Sequence, residues 1–198
     1  LEDQAGAAED PKSRWMSAIV LVAAAVCFNE RAAIRPALER LDAECTAQIL
    51  PDGGHVSRSP SRLLHCLLQL QTLEELLQRA GVEVPDYFAK WIPRMGAMVA
   101  FFQTADGALN PLNDGDESRA EVVQAALSRL PAPPRRFTFA PKSGFQKLEK
   151  KGLRLVLDCG EAPGQPFGDQ AHAGALGFEL SDGPSRLVTS CGFSAEVN

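Results

Sequence analysis

The hydrophobic spacing of this chain changes once, at Pro131-Ala-Pro-Pro134, and that change limits what it can fold into. Upstream, apolar residues recur at helical intervals. Leu63, Leu64, Leu67, Leu70, Leu73, Leu76 and Leu77 form one stripe with a period of about 3.6 residues. Downstream, Ser143–Glu149, Leu153–Asp158, Ala175–Ser181 and Arg186–Ser190 are short runs between glycine-bearing turns, as strands are. Lys150-Lys151-Gly152 and Ser181-Asp182-Gly183 have the composition of hairpin connections. Helices first and strands afterwards argue for two packed layers of different kinds and against a βαβ sheet. The pattern predicts an α+β multidomain chain, with helices over 1–130 and an antiparallel β unit starting at 131.

Within the helical part, residues 1–13 are polar and alanine-rich and read as a frayed end. Ala18–Phe28 is continuously apolar but too short to span a membrane, which takes about 20 residues. Lys12 and Arg14 precede it, as in a signal peptide, yet a small-residue cleavage site is missing and Asn29-Glu30-Arg31 continues as helix. A buried bundle helix fits better. Pro36 is expected to open a second helix carrying Leu38, Leu41, Cys45 and Ile49. The leucine stripe is the third, closed by Gly81 in the manner of a C-cap. A fourth runs from about Tyr87 to Gln103, with Pro93 expected to kink it or delay its start. Its aromatic and methionine stripe is core. A short fifth covers about Arg119–Arg129.

Composition narrows the classes. With 198 residues, 45% hydrophobic and 23% charged, the chain is ordinary for a globular protein. A net charge of −5 and the lack of a long basic run argue against a nucleic-acid surface. The five cysteines are scattered and never paired as C-x-x-C, so buried, reduced thiols are expected rather than a disulfide framework. Asp106-Gly107 and Asn113-Asp114-Gly115-Asp116 form a polar loop; without calcium-loop spacing, it reads as solvated. The chain starts at Leu1 and is expected to be a piece of a longer protein.

The segment between helices two and three carries the most chemistry. Pro51-Asp52-Gly53-Gly54 is a turn, and Ser59-Pro60 is a helix start, with serine as cap and proline at the first helical position. His55, Ser57 and Arg58 lie between them, on a loop fixed at both ends.

Asp52-Gly-Gly-His-Val-Ser-Arg-Ser-Pro60 resembles the "DGGH-x-(E/S)-R-(S/N)-P" stretch of heparinase II/III-type proteins. Ala171-His-Ala-Gly-Ala-Leu-Gly-Phe-Glu-Leu180 is similar to their "H-A-H-A-D-A-L-S-F-E-L" segment, in matching order and separation. The likeness runs from about Trp15 to the end. It implies the last helices of an incomplete α/α toroid followed by the first strands of an antiparallel β-sandwich. It also implies a polysaccharide lyase that cleaves a uronic-acid-containing chain, such as a glycosaminoglycan, by β-elimination. That reaction needs a neutraliser for the uronate carboxylate, a base for the C5 proton and an acid for the leaving oxygen.

The family fills the last two roles with tyrosine and histidine in "S-P-x-Y-H". The matching positions here are Arg62 and Leu63, and the one tyrosine, Tyr87, lies elsewhere. An asparagine, histidine or glutamate neutraliser is implied on an earlier toroid helix. In the second motif Gln170 replaces the first histidine and Gly174 the aspartate, while His172 matches the second histidine. The resemblance gives His172 a part in a structural zinc site or, since its partner aspartate is replaced by Ser190 and one histidine does not hold zinc alone, a role in holding the sandwich to the toroid.

The candidate catalytic residues are therefore His55, His65 and Arg62. His55 reads equally as a substrate contact and as a satisfied loop residue, and His65 as a cleft or boundary residue. Arg58, Arg62 and Asn113 are the candidate contacts to an acidic polysaccharide, since guanidinium groups pair carboxylates and sulfates bidentately. Two functions stand: a lyase with a substituted acid–base set, or a catalytically reduced relative binding an acidic or cell-envelope carbohydrate. The resemblance places either in the periplasm or cell envelope, with the cytoplasm as the other option.

Overall fold

A computed structural model of the protein describes residues 10–113, 118–164, 167 and 176–190. Five helices, α1 (Pro11–Cys27), α2 (Arg31–Gln48), α3 (Pro60–Arg79), α4 (Asp86–Phe102) and α5 (Ala120–Ser128), precede five strands. The strands are β1 (Phe139–Ala140), β2 (Phe145–Lys150), β3 (Leu153–Asp158), β4 (Phe178–Asp182) and β5 (Ser185–Val188). They form one antiparallel sheet in the order β1-β2-β3-β4-β5. Helices followed by an antiparallel sheet is the predicted class.

Each helix buries the stripe that its spacing dictates. α3 turns Leu63, Leu64, Leu67, Leu70, Leu73 and Leu77 inward, where they meet Val22 of α1, Leu41 of α2 and Met95 of α4 in one core. Two polar pins fix the layers: the Trp15 indole N–H donates to Gln69 Oε1 at 2.8 Å, and the Tyr87 hydroxyl donates to the Leu38 carbonyl at 3.0 Å. α3 ends in a Schellman motif. Gly81, at φ +66°, donates to the Gln78 carbonyl, and Val82 donates to that of Leu77.

Two helix starts differ from the sequence expectation, and Pro93 does not delay a third. α1 begins at Pro11, inside the stretch read as frayed, because Asp10 caps it by accepting from the Lys12 and Ser13 N–H groups. That is the same cap-then-proline grammar as Ser59-Pro60. α2 begins at Arg31 and passes through Pro36, since a proline early in a helix removes one hydrogen bond without ending it. α4 likewise runs through Pro93 from Asp86. A mid-helix proline costs about 3 kcal/mol. Burying Phe88, Trp91, Ile92, Met95, Val99 and Phe102 outweighs it, at roughly 1.5–3 kcal/mol per large side chain.

The cysteine expectation also needs correcting. Cys45 and Cys66 are buried free thiols, and burial pushes Cys66 up to about 12, but Cys27 and Cys159 are free and exposed. Cys191 lies outside the described residues.

In the sheet, β2 and β3 turn at Lys151-Gly152, both with positive φ, as a two-residue type I′ hairpin needs. The two faces of the sheet are unlike. Phe145, Lys147, Val156, Asp158, Glu179 and Ser181 are buried toward the helices, where Phe145 meets Phe102 edge-to-face at 4.8 Å. The other face aligns Leu148, Leu155, Leu180 and Val188 across four strands, and Leu148, Phe178 and Leu187 are exposed. An apolar outer row is the pattern of a sheet that packs against a second sheet.

Nothing lies within 4 Å of a Cβ built on Gly81. Gly81→Ala therefore meets only the left-handed backbone penalty, about 1 kcal/mol. We expect a fall in melting temperature of roughly 2–4 °C, read by circular dichroism.

Candidate functional site

The loop between α2 and α3 is shaped by close approaches that only its sequence allows. Gly53 has φ +92°, and a Cβ there would stand 2.1 Å from the Arg94 carbonyl oxygen of α4. A Cβ on Gly54 would stand 1.9 Å from Ser143 Oγ. Asp52 uses the closeness those glycines permit: Oδ2 accepts from the Lys142 and Ser143 N–H groups at 2.9 and 2.7 Å, and Oδ1 accepts from the Ser143 hydroxyl at 2.6 Å. Asp52 thus fastens the helical layer to the turn that enters β2.

Arg58 makes the second fastening. It adopts φ +62°, a left-handed conformation uncommon for a residue with a side chain, and its backbone N–H donates to the His55 carbonyl. Its Nε donates to the Ser143 carbonyl at 2.9 Å and its Nη1 to the Glu161 carbonyl at 2.6 Å. Nη2 forms an ion pair with Asp158 Oδ1, and the guanidinium lies 4.9 Å from the Phe145 ring centroid. Asp158 is completely buried, and its other oxygen accepts from Asn113 Nδ2 at 2.8 Å. Gly144 and Gly160 make room: a Cβ on Gly160 would stand 2.4 Å from Arg58 Nη2. Arg58 and Asn113, both candidate carbohydrate contacts, are brought together here, on a protein carboxylate.

His55 is 2% exposed and has partners at both ring nitrogens. The Ser57 backbone N–H, which can only donate, lies 3.0 Å from Nδ1, so Nδ1 is the acceptor and Nε2 carries the proton toward Gln48 Oε1 at 3.3 Å. Gln48 Nε2 in turn donates to the Pro11 carbonyl at 2.8 Å and to Glu44 at 2.7 Å, linking the loop to α1 and α2. Burial, with a smaller contribution from the Arg62 charge, pushes His55 down to about 3, so the ring is neutral near pH 7. Phe167 meets it edge-on, with centroids 5.7 Å apart.

The remaining candidates lie further along. Arg62 is half-buried in the first turn of α3, with its charge felt at Asp10 and at His55. His65 is exposed one turn later on the same helix. His172, and with it the zinc expectation, lies outside the described residues. Among the described residues, no group of three or more His, Cys, Asp or Glu side chains is placed to hold a metal ion. No helix among them is long and apolar enough to cross a membrane. Sequence reasoning missed Asp158, Ser143 and Gln48 as site members. Asp158 did leave a signal, since it is a charged residue on the same strand face as buried Val156.

Residues 132–198 match the family model described as heparinase II/III-like, C-terminal. This C-terminal third of the chain belongs to the heparinase II/III-like family. Its fold is similar to that of a solved heparinase III, with a TM-score of 0.78 at 16% identity over 98% of this chain and 35% of that one. It is also similar to the heparan sulfate lyase HepC from Pedobacter heparinus, with a TM-score of 0.72 at 18% identity over 96% of this chain and 34% of that one. At such identities the likeness is one of fold. In sequence, the chain is 34% identical over 164 residues to FtsZ-localized protein C of Caulobacter vibrioides, covering 83% of this chain and 28% of that protein. The chain thus spans little more than a quarter of that relative and about a third of the solved structures.

Two outcomes follow from the site. Arg58→Ala or Asp158→Ala leaves an unpaired buried charge, and each should cost about 3–5 kcal/mol in urea unfolding. The double variant should cost clearly less than their sum. His55, with its folded pKa below its unfolded one, takes up a proton on unfolding between about pH 3 and 6.5. Stability should therefore rise with pH across that window, with a slope approaching roughly 1.4 kcal/mol per unit, and His55→Gln should remove that part of the slope.

Proposed function

We propose that this chain is the helix–sheet junction of a heparinase II/III-like protein that binds an acidic or cell-envelope carbohydrate without cleaving it. The observation that carries this reading is the commitment of the motif's polar side chains to the fold. His55 is neutral, buried and hydrogen-bonded at both nitrogens, which leaves no accessible base there. The Tyr87 hydroxyl donates to Leu38 within the helical layer, and burial pushes its pKa up, away from the phenolate a base would need. The Arg58 guanidinium is spent on Asp158 and on three backbone carbonyls.

A second reading keeps β-elimination, and the geometry of α3 favours it. His65 is exposed, and Arg62 lies one turn before it on the same helix. In that reading Arg62 pairs the uronate carboxylate as the C5 proton leaves, and His65 transfers protons. The relative named for localisation with FtsZ supports a place of action where FtsZ gathers, and the family resemblance supports the cell envelope as the source of the ligand.

The deciding experiment uses the full-length protein with heparan sulfate, heparin and alginate. Binding is followed by calorimetry, and elimination by the ultraviolet absorbance of the C4–C5 double bond. We expect heat of binding with no rise in absorbance. A rise abolished by His65→Ala would establish the lyase instead.

A further inference from the structure

A cavity of about 590 Å³ opens between the end of α4, the 133–138 connection and the helix-facing side of the sheet. It shares no lining residue with the Arg58 fastening, and its size is that of a small-molecule site. Four cations line it, Arg135, Arg136, Lys147 and Arg154, against one carboxylate, Glu149. That carboxylate is already taken, because Arg154 Nε donates to it at 2.7 Å. Arg154 Nη1 donates to the Gln103 carbonyl at 2.7 Å, which fixes the pair at the cavity wall.

Lys147 is the unusual member. It projects from β2 on the buried face and is only 8% exposed. Its ammonium stands 4.5 Å above the Phe101 ring, which stacks on Phe137 at 5.2 Å. Among the described residues, no carboxylate pairs with Lys147, Arg135 or Arg136. Burial, and after it the Arg154 charge, pushes Lys147 down to about 8; Glu149 opposes this only in part. A leucine would fill the same space on Phe101 with none of that desolvation cost. An ammonium that lines one cavity with two further guanidinium groups instead has the charge arrangement of an anion site with an aromatic wall.

We propose that this cavity binds a small ligand through an oxyanion group, a carboxylate, sulfate or phosphate, with Lys147 at its floor and Arg135 and Arg136 at its mouth. The Phe101–Phe137 stack receives the ligand's less polar face. This site is separate from the α2–α3 loop, and it stands whether or not that loop's protein cleaves a polysaccharide.

The test is calorimetric titration of the full-length protein with inorganic phosphate, sulfate and glucuronate in turn. We expect saturable binding of at least one, and the preferred probe identifies which oxyanion the site takes. Lys147→Met and Arg136→Ala should each weaken binding roughly tenfold, the scale of one lost charge-assisted hydrogen bond. Arg136 is exposed, so its variant keeps the wild-type melting temperature and decides the matter even where Lys147→Met fails to fold. Absence of saturable binding to all three probes, or an unchanged affinity in Arg136→Ala, overturns the proposal. Variant-sensitive binding of a polyglutamate peptide alone would overturn it too, in favour of an acidic protein partner.

Discussion

The ion pair between Arg58 and Asp158 joins residues 100 positions apart and does so with almost no solvent present. Taking two charges out of water is expensive, and their attraction offsets the cost only when every remaining donor and acceptor is satisfied. Here the condition is met: Asn113 serves the second carboxylate oxygen, and backbone carbonyls take the other guanidinium protons. The pair therefore does more than hold. It dictates where β2, β3 and the segment after β3 must lie relative to α3, since any other placement strands a charge. Asp52 repeats the logic a few residues earlier, with backbone N–H groups in place of a cation.

This arrangement bears on chemistry. Proton transfer needs a group that can reach a substrate and exchange a proton near neutral pH. The loop's polar groups are instead used as fasteners, and a fastener works best when its charge state never changes. His55 shows the conflict most plainly: the burial that lets it link Gln48 to Ser57 also holds its pKa far below neutral. Past the cap, on α3, Arg62 is half-buried and His65 is exposed.

The sequence carried the helical layer well because a stripe such as that of α3 is written in consecutive turns. Strand β3 was legible to the residue, and the Gly81 stop was legible because the left-handed position demands glycine. The prolines misled, since local rules cannot weigh one lost hydrogen bond in α4 against a face of buried aromatics. The two-residue strand β1 was too short to leave a period. The loop was recognised as important, but not what it does, because Ser143 and Asp158 reach it from about ninety and a hundred residues away. Periodicity says nothing about such distances.

The glycines and charges of the Asp52–Pro60 stretch each answer a steric or electrostatic demand of the helix–sheet junction. Selection to keep the junction folded would by itself preserve those letters. A lineage that lost its proton-transfer residues would go on displaying the same signature for as long as it kept both layers. A motif scan would therefore score a silent member of the family as highly as an active one. Substitutions at Gly160 and Arg58 would be expected to travel together through its history, since the space left by one is filled by the other.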